Sequence, residues 1–214
     1  KRGIQVFQRR LALGQKRVLS AQLQFALSYP DKPYGRNPIL DPATGEVILT
    51  PRSLDRYQHE MTNKEKALVS IVKGGLGEER NCFVYEEYTR AQETNILGRL
   101  KAVLETEIPE LVGKIAVLEA GSPSPAERMD WIKEQASLGK RIIICNPELC
   151  ECGLDFLFTY MGVVYNYPTI IQFQMGYNLT VLWQSVSRHF RLIQTLECRT
   201  YYLYSRGTIQ LEVL

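Results

Sequence analysis

Two arginines three residues apart, Arg188 and Arg191, close the segment Gln184-Ser185-Val186-Ser187-Arg188-His189-Phe190-Arg191. On a helix that spacing puts both guanidinium groups on one face, about a turn apart. A guanidinium pair so placed clamps a phosphate chain through charge-assisted bonds and stabilises charge on a phosphoryl group in transfer. The same spacing also fits an ordinary surface helix with two solvated arginines. A second polar segment runs from Asn146 to Phe156, directly after the apolar run Arg141 to Cys145. Within it, Gly153 would let backbone approach a ligand closely, and Asp155 could accept a hydrogen bond from a ribose hydroxyl. A plain strand-to-helix turn is the alternative there. His59 and His189 are far apart in the chain. Cys150-Glu151-Cys152 lacks a second ligand pair at zinc-like spacing, so no metal site is expected.

The elements that must hold these residues follow from periodicity. Asn81 to Tyr85, Lys114 to Glu119, Arg141 to Cys145, Gly162 to Tyr165 and Arg199 to Tyr204 read as short apolar strands. Between them, helices are expected over 64–73 (stopped by Gly74 and Gly75), 90–105, 124–137 (opened by the box Ser124-Pro125-Ala126-Glu127 and ended by Gly139) and 180–191. Strands with almost no polar alternation are buried on both faces, as a parallel sheet covered by helices requires. Residues 63–214 are therefore expected to form an α/β domain, a parallel β-sheet flanked by helices. Residues 1–62 are expected to form an N-terminal helical and irregular extension: a helix over Gln5 to Leu27, then a loop or linker dense in Pro30, Pro33, Gly35, Pro38, Pro42, Gly45 and Pro51.

Composition narrows the class. No apolar run reaches the roughly 18 residues of a membrane span, and no signal-peptide pattern follows Lys1-Arg2-Gly3, so a cytoplasmic protein with no membrane partner is expected. The five cysteines are odd in number and irregular in spacing, which argues against a disulfide framework. The net charge of +3 neither demands nor excludes nucleic acid. Lys1, Arg2, Arg9, Arg10, Lys16 and Arg17 fall together with no acid among them, as a solvated helix face or a phosphate-contacting surface. Trp183, Tyr160, Tyr165, Tyr167 and Tyr177 either pack internally or stack on bases.

In this order the segments resemble the C-terminal RecA-like lobe of superfamily 2 helicases, closest to the Swi/Snf-type branch. Cys82 to Thr89 resembles motif IV. Leu118 to Ser122, followed by Glu127-Arg128, resembles the next strand and helix. Asn146 to Phe156, ending in Gly153-Leu154-Asp155, resembles motif V. Gln184 to Arg191 fits motif VI, Q-x-x-x-R-x-x-R, and Tyr201 to Gln210 resembles the closing strand and its G-T-I-E turn. The likeness spans residues 64–210. It implies a P-loop NTPase-type helicase C-terminal domain whose Arg188 and Arg191 are arginine fingers towards ATP. Gln184 would couple nucleotide to lobe closure, and Gly153 and Asp155 would lie at the nucleotide. Tyr88, Thr89 and Asn146 would lie near a nucleic-acid backbone. Motif V departs from the family pattern: Asn146-Pro147-Glu148 replaces its usual small hydroxyl residues, and Glu148 and Glu151 do not suit phosphate.

There is no G-x-x-x-x-G-K-[ST] run and no acidic box for magnesium; Gly74-Gly75-Leu76-Gly77 precedes a strand instead of following one. The resemblance therefore implies that ATP and Mg²⁺ are held by a first RecA-like lobe of the same parent chain, that this chain alone hydrolyses nothing, and that both of its ends fall where the family carries more chain. DNA is the expected nucleic-acid partner, with RNA open. The rival expectations are a degenerate helicase-like lobe serving as a non-catalytic nucleic-acid or protein-binding module, and an unrelated nucleotide-binding α/β enzyme. The latter would need a glycine-rich loop after Tyr85, where Glu86-Glu87-Tyr88-Thr89 stands.

Overall fold

The computed structural model describes residues 5, 8, 9, 12, 18–41, 43–121, 123–150 and 154–213. Of the expected N-terminal helix, Gln5, Gln8, Arg9 and Ala12 are helical, and helix α1 covers Leu19–Ser28. The proline-rich stretch that follows is not featureless. Strands β1 (Ile39–Leu40) and β2 (Val47–Leu49) pair antiparallel, and Ile48 packs with Val18 in a small apolar cluster.

Helix α2 covers Asn63–Gly77. Thr62 caps it reciprocally: the Glu65 amide donates to Thr62 Oγ1 at 3.2 Å, and the Thr62 amide donates to Glu65 Oε2 at 2.6 Å. The helix runs through Gly74 and Gly75, where the sequence predicts its end. Leu76, one position beyond, is buried in the core with Val72 and Leu68, and that burial outweighs the roughly 1 kcal/mol each helical glycine costs.

Strand β3 (Cys82–Tyr85) leads to helix α3 (Leu97–Glu107), which starts seven residues later than periodicity predicts. Side chains claim the backbone just before it: Glu86 Oε1 accepts the Ile96 amide at 2.9 Å, and Asn95 Oδ1 accepts the Leu97 amide at 3.0 Å. Strand β4 (Ile115–Leu118) and helix α4 (Arg128–Ser137) follow. Glu127 bonds back to the Ser124 amide as the capping box predicts, but Pro125 to Glu127 form a turn before regular helix begins. Gly139, at φ 78°, ends α4, with the Lys140 amide bonded to the Gln135 carbonyl.

After strand β5 (Ile142–Cys145) the expected strand around Gly162 proves to belong elsewhere. Strands β6 (Leu157–Tyr160) and β7 (Val163–Asn166) form an antiparallel hairpin outside the main sheet, with Val163 and Val164 exposed. The sheet strand is β8 (Thr169–Gln172), which has polar residues at both ends yet is fully buried. Its polar ends are partnered internally, though Gln172 Oε1 has no partner: Arg80 Nε donates to Thr169 Oγ1 at 3.0 Å, and Gln172 Nε2 donates to Ser185 Oγ at 3.2 Å. Helix α5 (Leu179–Val186) and strand β9 (Arg199–Tyr202) complete the domain.

Among the described residues the main sheet has five strands, all parallel, in the order β4-β5-β3-β8-β9. Alternate residues of each strand feed opposite faces. Cys82 and Val84 pack with α2 and α3, while Phe83 and Tyr85 pack with α4 and the segment through Phe156. Phe83 and Phe156 stack with ring centroids 3.8 Å apart. The parallel sheet covered on both faces is the architecture the apolar strands predicted.

Candidate nucleotide- and nucleic-acid-facing surfaces

The connection after β3 runs to β4 on one side of the sheet, and the connection after β8 runs to β9 on the other. Adjacent strands whose connections diverge leave a crevice beyond their carboxyl ends. Here it lies between β3 and β8, and three loops meet at it. Asn146, just after β5, donates from Nδ2 to the Glu87 carbonyl at 2.7 Å and to Thr89 Oγ1 at 3.3 Å. Its Oδ1 accepts the Glu148 amide at 2.8 Å. The Tyr88 amide donates to Gln174 Oε1 at 3.1 Å, tying the loop after β3 to the one after β8. A Cβ on Gly176 would meet the Glu87 carboxylate, so a larger residue there would oblige that side chain to move.

These loops enclose a cavity of about 300 Å³ whose lining includes Tyr88, Asn146, Glu87, Glu148 and Tyr177. The structure thus brings Tyr88, Thr89 and Asn146 together. It also shows that the Asn146 amide is occupied in holding the loops. Sequence reasoning missed Gln24 from α1 and the buried Glu86, while Tyr177, singled out as a packing or stacking residue, lines this cavity. Burial pushes the Glu86 carboxyl up to about 8, against the opposing pull of the Ile96 amide and Lys32. Burial also pushes the Tyr88 phenol well up, and its hydroxyl has no hydrogen-bond partner.

Asn178 opens α5, its Oδ1 accepting the amides of Thr180 and Val181 at 3.2 and 3.3 Å. An asparagine directly before an apolar run was a legible signal for this start. The helix stops at Val186, short of the arginines. A 3₁₀ turn covers Ser187–His189, and Phe190 is extended. Side chains compete for the last carbonyls: Ser187 Oγ donates to the Gln184 carbonyl at 2.8 Å, and His189 Nδ1 lies 2.6 Å from the Val186 carbonyl. Arg188 and Arg191 are therefore not one helical turn apart on a common helix face, as their spacing predicted.

Arg188 is half-buried near Tyr85 at the end of β3, with its Nε unpartnered. Arg191 comes after the break. It forms an ion pair with Asp155 and donates from Nη2 to the Leu154 carbonyl at 3.2 Å. Both partners of that pair keep solvent access, Asp155 more than Arg191. Gln184 is exposed on α5. Gly153 lies outside the described residues, as do Cys152 and, from the basic opening stretch, Lys1, Arg2, Arg10, Lys16 and Arg17. Of the expected nucleotide-facing residues, then, the structure joins Arg191 to Asp155 and turns Arg188 towards the sheet end.

Exposed apolar residues surround this segment. Trp183 is 77 % exposed and Ile193 75 %, with Leu179, Phe190 and Leu192 exposed beside them in the chain. Of the five aromatic residues singled out in the sequence, Tyr167 is buried and bonded to the Lys140 carbonyl, and Tyr165 stacks on Phe158. Trp183 and Tyr177 face solvent. Among the described residues no cluster of histidine, cysteine, aspartate or glutamate could hold a metal ion, and no helix is long and apolar enough to cross a membrane.

No protein-family model matches the sequence, and no curated protein does. Among solved structures, the C-terminal part of the Fun30 ATPase domain is similar, with a TM-score of 0.53 and 19% identity over 76% of this chain. The chain spans about half of that structure, 49% of its length. Domain 2 of the Mss116p DEAD-box helicase, solved bound to an RNA duplex, also matches, with a TM-score of 0.45 and 14% identity over 66% of this chain and 50% of that one. The five-stranded parallel sheet with helices on both faces is a fold that this chain shares with the C-terminal part of that ATPase domain.

Proposed function

We propose that this chain is the second motor lobe of an ATP-driven helicase or translocase. It supplies Arg188 and Arg191 to a nucleotide held by a separate first lobe, and it contacts nucleic acid along the carboxyl edge of its sheet. The observation that carries this reading is the setting of the two arginines. They stand in a segment bordered by Trp183, Phe190, Leu192 and Ile193, all exposed, and an exposed apolar strip of this kind marks a surface that another protein unit covers. The fold shared with part of an ATPase domain supports an ATP-linked role for the surface so covered.

The residues present suit a nucleoside triphosphate without holding it alone. Arg188 and Arg191 would meet the phosphates, and Asp155 would meet the ribose. When bound, ATP supplies the phosphoryl group that water accepts. The Arg191–Asp155 pair is solvent-accessible, and exposed pairs of this kind contribute only about 0–1 kcal/mol, so a phosphate can exchange for the carboxylate at little cost. Release of Asp155 in that exchange leaves its oxygens available to a hydroxyl. Gln184, exposed on α5, would couple this site to closure of the two lobes. Magnesium has no ligand set among the described residues and belongs with the first lobe in this reading.

The test uses a polypeptide that joins this chain to a first lobe. Arg188→Ala and Arg191→Ala should each lower ATP hydrolysis by about 10³-fold or more, while leaving nucleic-acid affinity unchanged. The 214-residue chain by itself should not hydrolyse ATP. Wild-type turnover in both variants would overturn the finger roles. It would favour the second reading, a non-catalytic binding module, for which Glu87 and Glu148 at the sheet edge already argue.

A further inference from the structure

The cavity beyond β3 and β8 has a chemistry that does not suit phosphate. Its charged lining side chains are Glu87, Glu148 and Arg90, and Arg90 is already paired to Glu148 at 3.1 Å. No lysine lines it. A phosphate entering would meet the Glu148 carboxylate and find the Arg90 guanidinium already committed to it.

The same lining suits a flat heterocycle. Tyr177 is 58 % exposed at this edge and offers a stacking face. Tyr88 contributes a hydroxyl that is buried and has no hydrogen-bond partner. Glu148 keeps part of its carboxylate in solvent and can accept from an exocyclic amine, as carboxylates do from cytosine N4. A volume of about 300 Å³ lies at the small end of ligand pockets and is enough for one base. Asn146 is excluded as a reader because its amide is spent on Glu87, Thr89 and Glu148. It is a positioning residue for the pocket wall.

We infer that this cavity receives an unpaired nucleobase, with Tyr177 as the stacking platform, and that it favours bases carrying an exocyclic amine over thymine or uracil. The inference rests on the proposed contact between this edge and nucleic acid, and it changes what that contact reads: a base instead of a backbone phosphate.

The experiment is fluorescence anisotropy of the full 214-residue chain with labelled single-stranded oligonucleotides of equal length, oligo(dC), oligo(dA) and oligo(dT), at several salt concentrations. Binding to oligo(dC) and oligo(dA) should be about tenfold tighter than to oligo(dT), a ratio that changes little with salt because the backbone is the same in each. Tyr177→Ala should lower affinity for oligo(dC) about tenfold, and Glu148→Gln should erase the preference over oligo(dT). A circular-dichroism melt matching wild type would show that each variant is folded. Replacing the bases of oligo(dC) with abasic positions should have the same effect as Tyr177→Ala. Equal affinity for all three oligonucleotides, indifference to abasic positions, or no binding to any of them would overturn the inference. The hydrolysis test on Arg188 and Arg191 is read separately. Base-blind binding with hydrolysis lost in the arginine variants overturns the pocket and keeps the motor, and the reverse pattern does the opposite.

Discussion

His189 stands between the two arginines and is fully buried. Its Nδ1 bonds the Val186 carbonyl, so that nitrogen carries the proton, and Nε2 accepts from Thr200 Oγ1 at 3.4 Å. Burial, with Arg80 nearby, holds its pKa down to about 4. A depressed histidine contributes stability that is present above its ordinary pKa near 6.5 and is lost as pH falls through 4. Protonation would also turn Nε2 into a donor and reverse the Thr200 bond that links this segment to β9. Wild type should therefore lose on the order of 2 kcal/mol between pH 7 and pH 4 that His189→Gln does not lose. Urea titrations of both proteins at the two pH values read this directly, and parallel losses would contradict the neutral-histidine assignment.

At the scale of elements, α2 shows what sets a helix's length. Its start is fixed locally by Thr62 and Glu65, and its end is fixed by Leu76 reaching the core. Gly74 lies in the exposed face of the last turns, and a Cβ there would meet nothing within 4 Å. Gly74→Ala should therefore stabilise the chain by about 0.5–1 kcal/mol, seen as a higher urea midpoint at unchanged slope. Thr62→Ala should cost about 1 kcal/mol, and Thr62→Ser much less. A neutral Thr62→Ala would mean that the cap is replaced by solvent and that packing alone sets the start.

In the whole molecule the N-terminal extension is joined to the α/β domain by a buried polar knot. Lys64 of α2 pairs with Asp31 at 2.7 Å, both nearly without solvent, and Lys64 Nζ lies 4.8 Å from the centre of the Phe173 ring. Gln210, from the far end of the chain, donates to the Leu27 carbonyl at 2.7 Å and to Asp31 Oδ2 at 3.0 Å. Burial raises the Asp31 pKa and lowers that of Lys64, in each case against the pull of the other. Desolvation thus works against the pair, and its main effect is to fix where α1 docks. Removing one partner leaves the other charge buried: Asp31→Ala should cost about 3–5 kcal/mol, and adding Lys64→Met should restore most of it. Thermal melts of the two singles and the double settle this, since additive losses would mean that the two residues act independently.

The strands β3, β4 and β5 were legible in the sequence because each is a short apolar run, and that pattern has one solution, burial on both faces of a parallel sheet. The polar loops after β3 and β5 were legible for the same reason: they follow where such runs stop. What the sequence by itself could not decide were the features that depend on distant partners. Thr169–Gln172 looks too polar for a central strand until Arg80 and Ser185 bond its end residues. Gly74 and Gly75 look like a helix terminus until Leu76 finds the core. Arg188 and Arg191 look like neighbours on a helix until Ser187 and His189 take its last carbonyls. Local chemistry names the residues, while the direction each one faces depends on hydrogen bonds and packing between segments far apart in the chain, and those exist only in the folded molecule.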